Sequence, residues 1–162
     1  MQLALDDAAT TTEGAEGEGG GALRNLDKAA GCLNEILTHQ DMPALQEMAR
    51  YWLAKCHEAR AELMGQGGTD DVGSPEMMKA MACYEAIYNG FKTDRDNGVV
   101  RDSHYYLLSV FDLTRIYERL GDVDSLRKDA RVYEDLARNH PGMARAGEAG
   151  QKARIIREKI GD

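Results

Sequence analysis

The sequence lacks several features that would assign it to a function class. No apolar run approaches the roughly 20 residues of a membrane-spanning helix, and the N-terminus has neither the basic start nor the apolar core of a signal peptide. The three cysteines, Cys32, Cys56 and Cys83, are odd in number and widely spaced, which argues against a disulfide framework. These absences predict small, buried, reduced thiols in a cytoplasmic protein that does not insert into membranes.

Aromatic residues are scarce, and basic residues do not outnumber acidic ones. Phe, Trp and Tyr make up 6% of the chain, and the formal net charge is −8. Beyond residue 21 the acidic and basic residues are nearly balanced, so the chain has no basic face of the kind that nucleic-acid binding requires. The helix-forming residues Ala, Leu, Glu, Arg, Met and Lys dominate the same region. This composition predicts an all-α fold that does not bind nucleic acid.

Residues 1–21 differ in composition from the rest of the chain. They include the stretch TTTEGAEGEGGG, which has no hydrophobic periodicity, and all their charged residues are acidic. Such a segment cannot bury enough apolar area to offset the entropy lost on ordering. We therefore predict a disordered, acidic, glycine-rich tail over residues 1–21 and one helical domain over residues 22–162. A short partner-binding motif within the tail is the alternative.

Beyond the tail, apolar residues recur at intervals of three and four, which predicts about six amphipathic helices. The predicted helices span residues 22–40, 43–63, 75–91, 102–120, 123–139 and 143–160. Asp41 and Ser74 are predicted N-caps, and Gly121 is a predicted left-handed C-cap followed by Asp122 or Asp124 as the next N-cap. Residues 65–73 and 92–100 are polar and are predicted to interrupt the helices.

The C-terminal part of the chain resembles a tetratricopeptide repeat, at Leu113, Tyr117, Gly121, Tyr133 and Pro141. In that family the first helix of each hairpin carries a large residue, a small residue and a tyrosine, and a glycine occupies the turn. Val110 and Thr114 also fit the first helix. The second helix fits when about three residues are inserted, and Asp129 then stands where the family usually has alanine. Residues 130–149, ARVYEDLARNHPGMARAGEA, which include Tyr133 and Pro141, are similar to segments of repeat proteins of bacterial envelope assembly.

Weaker versions of the pattern occur upstream. The residues that carry them are Trp52, Leu53, Ala54 and His57 for a first helix, Ala80, Tyr84 and Ile87 for its partner, and Ala29, Leu33 and Ile36 for a second helix without a first. The resemblance covers roughly residues 22–160 and implies a stack of antiparallel α-hairpins, a tetratricopeptide-like α-solenoid. The charged, terminal sixth helix would cap that stack.

The sequence contains no pattern typical of a catalytic, metal or cofactor site. No two of its four histidines stand at a spacing of four, and no HExxH motif occurs. The segment 93–98 superficially resembles a calcium loop, but Arg95 occupies a ligand position and His104 replaces the closing glutamate. We interpret it as a polar turn. The chain is therefore predicted to be neither an enzyme nor a metalloprotein and to need no cofactor.

The surface remains as the candidate for function. In stacked α-hairpins the first helices line a concave groove, and the resemblance places seven residues near it: Tyr51, Lys55, Glu58, Phe111, Asp112, Arg115 and Arg119. The three cations among them are suited to bind a carboxylate or an acidic peptide. The alternative is that the charges are solvated and pair along their own helices, with Glu118 between Arg115 and Arg119, while the aromatic rings pack against a neighbouring helix.

Two hypotheses of function follow. The first is a non-enzymatic protein–protein interaction module, a scaffold or adaptor that binds a peptide or helix of a partner in the groove. The second is a terminal fragment or subunit of a larger repeat protein in an envelope or multiprotein assembly, which would place the chain in the bacterial envelope. The second rests on an apolar stripe of the first helix, Leu26, Ala30, Leu33 and Leu37, whose exposure would favour self-association.

Overall fold

The computed structural model describes residues 18–39, 42–65, 73–99, 104–143 and 145–162, and within these ranges it contains six α-helices and no β-strand. The helices are α1 (Glu18–Leu37), α2 (Pro43–Leu63), α3 (Pro75–Asp96), α4 (His104–Leu120), α5 (Val123–Asn139) and α6 (Ala146–Ile160). The all-α class and the number of helices predicted from the hydrophobic periodicity are confirmed.

The predicted and observed boundaries differ most in the N-terminal half. α1 begins at Glu18, inside the predicted tail, and ends at Leu37 rather than at residue 40. The rest of the predicted tail, the predicted N-cap Asp41 and most of the 65–73 loop lie outside the described residues. Met42 occupies the N-cap position of α2 and makes no capping hydrogen bond with its side chain. By contrast, Ser74 caps α3 as predicted, since its side chain accepts a hydrogen bond from the backbone of Met77.

α3 continues to Asp96, so the predicted break after Phe91 is wrong. Phe91 is buried and stacks on the ring of Tyr106, with 3.9 Å between the ring centroids. One turn later, Arg95 Nη1 lies 2.8 Å from Asp135 Oδ1 on α5. These two tertiary contacts stabilise the last turns of α3, although residues 92–96 are polar. Tertiary packing here overrides the weak helix propensity of the segment.

The segment that superficially resembles a calcium loop forms this last turn. Thr93 Oγ1 donates a hydrogen bond to the backbone oxygen of Asn89, α3 ends at Asp96, and Gly98 follows with a φ of +75°. The interpretation of residues 93–98 as a polar turn is therefore wrong for residues 93–96, which are helical. Throughout the part of the chain that the structure describes, no three His, Cys, Asp or Glu side chains stand close enough together to hold a metal ion.

The helices pack in chain order, each against the next, and α2 also contacts α4. The largest side chains that are fully buried between them are Tyr84, Tyr106, Ile87, Leu113, Ile116 and Leu136. All six stand at apolar positions of the three-and-four spacing that predicts the helices. The two tyrosines bring hydroxyl groups into an otherwise apolar interior, and each hydroxyl therefore needs a hydrogen-bond acceptor there.

A buried carboxylate satisfies one of these hydroxyls and joins three helices. The hydroxyl of Tyr106 on α4 donates to Asp135 on α5, which also accepts from Arg95 on α3 and, at 2.6 Å, from Asn139. Burial, together with the hydrogen bond and negative charge of Asp135, raises the pKa of Tyr106 above its ordinary value. Asp135 is thus a charged group that three neighbours compensate, which is the condition under which a buried charge is tolerated.

α1 packs against α2 and leaves one edge open. Its apolar stripe is half-buried rather than open, and the side chains exposed along the edge are Ala29 and Cys32. The expectation of three buried thiols is therefore wrong for Cys32, while Cys56 and Cys83 are half-buried. The helical spacing of Cys32 did not reveal this, because the open edge of α1 depends on where α2 crosses it.

The turn between α4 and α5 matches its sequence signature. Gly121 has a φ of +64°, and Asp122 Oδ1 accepts a hydrogen bond from the backbone nitrogen of Ser125 at 2.7 Å. Asp122 is therefore the N-cap of α5, and the alternative cap, Asp124, lies in its first turn. The hydrogen bonds from Ser125 lower the pKa of Asp122 below its ordinary value.

Two glycine substitutions are expected to change stability in opposite directions. Gly121→Ala forces a side chain into the left-handed region and should lower the free energy of unfolding by about 1–2 kcal/mol. Gly90→Ala lies inside α3, where an added Cβ would meet no atom within 4 Å, and should raise the free energy of unfolding by about 0.5–1 kcal/mol. Urea denaturation measures both changes, and two changes of the same sign would contradict these backbone assignments.

Candidate functional site

Five of the seven residues predicted to line a groove meet in one polar network between α2 and α4. Lys55 Nζ lies 2.8 Å from Asp112 Oδ2, and the hydroxyl of Tyr51 donates to the same oxygen at 3.2 Å. Arg115 Nη2 lies 2.5 Å from Glu58 Oε2 and 3.0 Å from Asp112 Oδ1. The network therefore contains two cations and two carboxylates, and it joins α2 to α4, two helices that are not consecutive in the chain.

A sixth member of this network comes from α3. The hydroxyl of the fully buried Tyr84 donates to Glu58 Oε1 at 2.5 Å, and Lys55 Nζ lies 5.5 Å from the ring centroids of both Tyr84 and Tyr51. Helical spacing identifies Tyr84 as a core residue, but the acceptor of its hydroxyl is a residue of another helix. No local pattern could have connected it with the charged residues of α2 and α4.

Glu58 is the centre of the network and remains ionised. Its burial alone would raise its pKa, but hydrogen bonds from Tyr84 and Arg115 and the positive charges of Lys55 and Arg115 lower the pKa of Glu58 below its ordinary value. The same burial and the neighbouring carboxylates raise the pKa of Tyr84 and bring that of Tyr51 to about 12. Both hydroxyls thus remain protonated donors at any physiological pH.

The remaining two predicted groove residues lie outside this network. Arg119 is exposed near the end of α4. Phe111 is half-buried and lies under Arg145, whose guanidinium carbon is 5.7 Å from the ring centroid. The alternative of pairing along one helix is observed in part, because Lys55 pairs with Glu58 on α2 and Arg115 pairs with Asp112 on α4. Glu118 instead pairs with Lys152 of α6, and Arg115 also pairs with Glu58 across the helices.

A cavity of about 320 Å³ opens between α4, α5 and α6. Its lining consists of Phe111, Asp112, Thr114, Arg115, Glu118, Tyr133, Leu136, Arg145, Glu148, Ala149 and Lys152. Leu136 and Ala149 are buried and form an apolar base, and the rings of Phe111 and Tyr133 lie beside them. Such a mixture of apolar and charged groups is typical of a site that binds an apolar side chain surrounded by polar groups.

The charges around the cavity differ in how tightly they are paired. Lys152 forms an ion pair with Glu118, donates to the hydroxyl of Tyr133 at 2.8 Å and lies 4.9 Å from the centroid of that ring. Arg145 and Glu148 are 3.8 Å apart, and their side chains are 70% and 72% exposed. This second pair is therefore the one that a ligand can separate at little cost, because exposed ion pairs contribute little free energy.

Asp129 is a buried carboxyl beneath these charges. It is fully buried on α5, and among the described residues neither of its oxygens has a hydrogen-bond partner. Burial, reinforced by the negative charge of Glu118 and opposed by Lys152, raises the pKa of Asp129 to about 8. The carboxyl is therefore largely protonated at neutral pH.

No protein-family model matches this chain, and no curated protein or solved structure is significantly similar to it. The resemblance to tetratricopeptide repeats therefore rests on the motif residues of the chain itself. Within the described ranges, no helix combines the length and the apolar character needed to cross a bilayer.

The protonation of Asp129 predicts a pH-dependent effect of Asp129→Asn. Between about pH 4 and pH 8 the folded wild type holds a proton that the unfolded chain releases, so its stability falls as pH rises, by up to about 1.4 kcal/mol per pH unit. The neutral amide removes this dependence. We expect Asp129→Asn to be close to wild type near pH 4 and more stable by several kcal/mol at pH 8. Urea denaturation at several pH values tests this, and a difference that does not change with pH would contradict it.

The polar network predicts that Arg115 contributes to stability. Arg115→Glu places a third carboxylate beside Glu58 and Asp112, and we expect it to lower the free energy of unfolding by about 1–2 kcal/mol, a value that allows for the partial exposure of Arg115. The matched control is Arg154→Glu, at an exposed position of α6, which should change stability by less than about 0.5 kcal/mol. Equal effects of the two reversals in urea denaturation would show that the network does not hold α2 and α4 together.

Proposed function

We propose that this chain is a non-enzymatic protein-interaction module, a tetratricopeptide-like stack of α-hairpins that binds a peptide or helix of a partner protein. The observation that carries the proposal is the cavity between α4, α5 and α6, where the half-buried ring of Phe111 and the exposed pair of Arg145 and Glu148 border one opening. Aromatic and arginine side chains are enriched in protein interfaces, and those that become buried at the centre of an interface provide much of its binding energy.

The helices that carry these features support a groove of the kind that the resemblance implies. In stacked hairpins the first helix of each pair faces the concave side. The polar network lies on α2 and α4, and the cavity lies on α4 and α6, with Tyr133 and Leu136 of α5 behind it. The proposed binding surface thus involves mainly α2, α4 and α6, to which Tyr84 of α3 and Tyr133 and Leu136 of α5 contribute, and the network joins α2 to α4.

The charges of the cavity indicate what the ligand contributes. Three cations and three carboxylates line it, so the site does not select a strongly charged ligand of either sign. We propose that one apolar side chain of the partner enters beside Phe111 and that flanking polar groups replace the contact between Arg145 and Glu148. This arrangement resembles helix-in-groove and peptide-in-groove recognition, in which a few apolar anchors provide most of the affinity.

Removal of the aromatic ring tests the proposal directly. Peptides of random sequence displayed on phage are first selected on the full chain, and their affinity is then measured by fluorescence anisotropy. Phe111→Ala should weaken binding of the selected peptides by about tenfold to a hundredfold, the usual effect of truncating an aromatic anchor. Circular dichroism confirms that each variant is folded at the temperature of the binding measurement.

The control is Ile155→Ala, because Ile155 is an apolar residue of α6 that is 61% exposed and lies outside the cavity. Its affinity for the same peptides should equal that of the wild type. Peptides that bind Phe111→Ala as tightly as the wild type, or that shift the NMR signals of α1 to α3 rather than those of α4 to α6, would contradict the proposed site.

A further inference from the structure

A second apolar surface lies at the other end of the chain of helices. A groove of about 490 Å³, open to solvent, lies between α1 and α2. On α1 it is lined by Leu26, Ala29, Cys32 and Leu33. On α2 it is lined by Trp52, which is 50% exposed, and by Lys55 and Cys56. A half-exposed tryptophan beside an apolar helix edge is typical of a surface that another protein covers.

Two charged residues border the same edge of α1. Lys28 and Glu35 are both exposed, and neither side chain forms an ion pair or hydrogen bond with the described residues, whereas the backbone oxygen of Glu35 accepts a hydrogen bond from Thr38. The charge of Asp27, in contrast, is paired with Arg60 of α2. Because Lys28 and Glu35 are seven residues apart, they lie on one line along the helix, two turns from each other.

This spacing makes the edge complementary to itself. When two copies of one helix pack antiparallel about a two-fold axis, a residue before the axis in one copy faces a residue equally far beyond the axis in the other copy. Lys28 of one copy then lies opposite Glu35 of the second copy, and the pair occurs twice. The two-fold axis passes midway, beside Gly31 and Cys32. At Gly31 an added Cβ would meet no atom within 4 Å, so a second backbone can approach closely.

We propose that the α1–α2 groove binds a second copy of this chain, with the two α1 helices antiparallel and the Trp52 side chains covered at the interface. The self-complementary charges favour a second copy over an unrelated partner, which would have no need of opposite charges at matching positions. The proposal is independent of the α4–α6 cavity, which shares no residue with this groove, although Lys55 of the groove belongs to the polar network.

Charge reversal tests the antiparallel arrangement. Sedimentation equilibrium of the full chain should show a wild-type dimer at concentrations of about 100 µM. Lys28→Glu places like charges against each other twice and should weaken the dimer at least about tenfold. The double variant Lys28→Glu/Glu35→Lys exchanges the two charges, restores both pairs and should recover an affinity within about threefold of the wild type. Lys159→Glu, at an exposed position of α6, is the control for a change of net charge and should leave the dimer intact.

The single tryptophan provides a second readout. If the dimer covers Trp52, its fluorescence emission should move to shorter wavelength as the wild-type concentration rises, and Lys28→Glu should not show this shift over the same range. A wild type that stays monomeric to about 1 mM would overturn the proposal. So would a dimer that Lys28→Glu leaves unchanged, or a double variant that remains as weak as Lys28→Glu. If Trp52 emits at the short wavelength of a covered tryptophan at every concentration, the groove is covered by residues of the same chain, and the proposal is overturned.

Discussion

The arrangement of α2, α3 and α4 depends on the hydrogen bonds and ion pairs of one ionised carboxylate, that of Glu58. Glu58 belongs to α2, and its carboxylate accepts hydrogen bonds from the hydroxyl of Tyr84 on α3 and from the guanidinium of Arg115 on α4. A buried charge of this kind adds little net stability compared with a well-packed apolar group, but the loss of any one partner is costly, because the others are then left uncompensated. The network therefore links three helices, and all of its members are satisfied together in the observed arrangement.

Asp135 repeats this solution and Asp129 departs from it. Asp135 receives hydrogen bonds from a tyrosine, an arginine and an asparagine, whereas Asp129 has no hydrogen-bond partner among the described residues and avoids the cost of a buried charge by keeping its proton. A buried carboxyl can be accommodated in either way, but the second way makes stability depend on pH.

The parts of the fold that the sequence predicts are those set by local interactions. Ser74, Gly121 and Asp122 act through hydrogen bonds or dihedral angles within a few residues, and each has the predicted role. The parts that it does not predict depend on distant partners. The last turns of α3 are held by contacts with α4 and α5, and the hydroxyl of Tyr84 finds its acceptor on α2. The predicted groove residues show the same division: their placement on α2 and α4 follows from helical spacing, but the pairing of their charges does not.

The two proposed interaction surfaces impose different demands on the chain. Because successive helices pack in order, α1 and α6 belong to opposite ends of the series of contacts, and a dimer formed through α1 leaves the α4–α6 cavity of each copy open. Such a dimer presents two equivalent cavities at a fixed separation. A partner with two matching segments then binds the second cavity as an intramolecular step, and its overall affinity exceeds that of either segment without any new contact. This would compensate for the modest affinity expected of a single cavity of about 320 Å³, whose charges are already balanced within the chain.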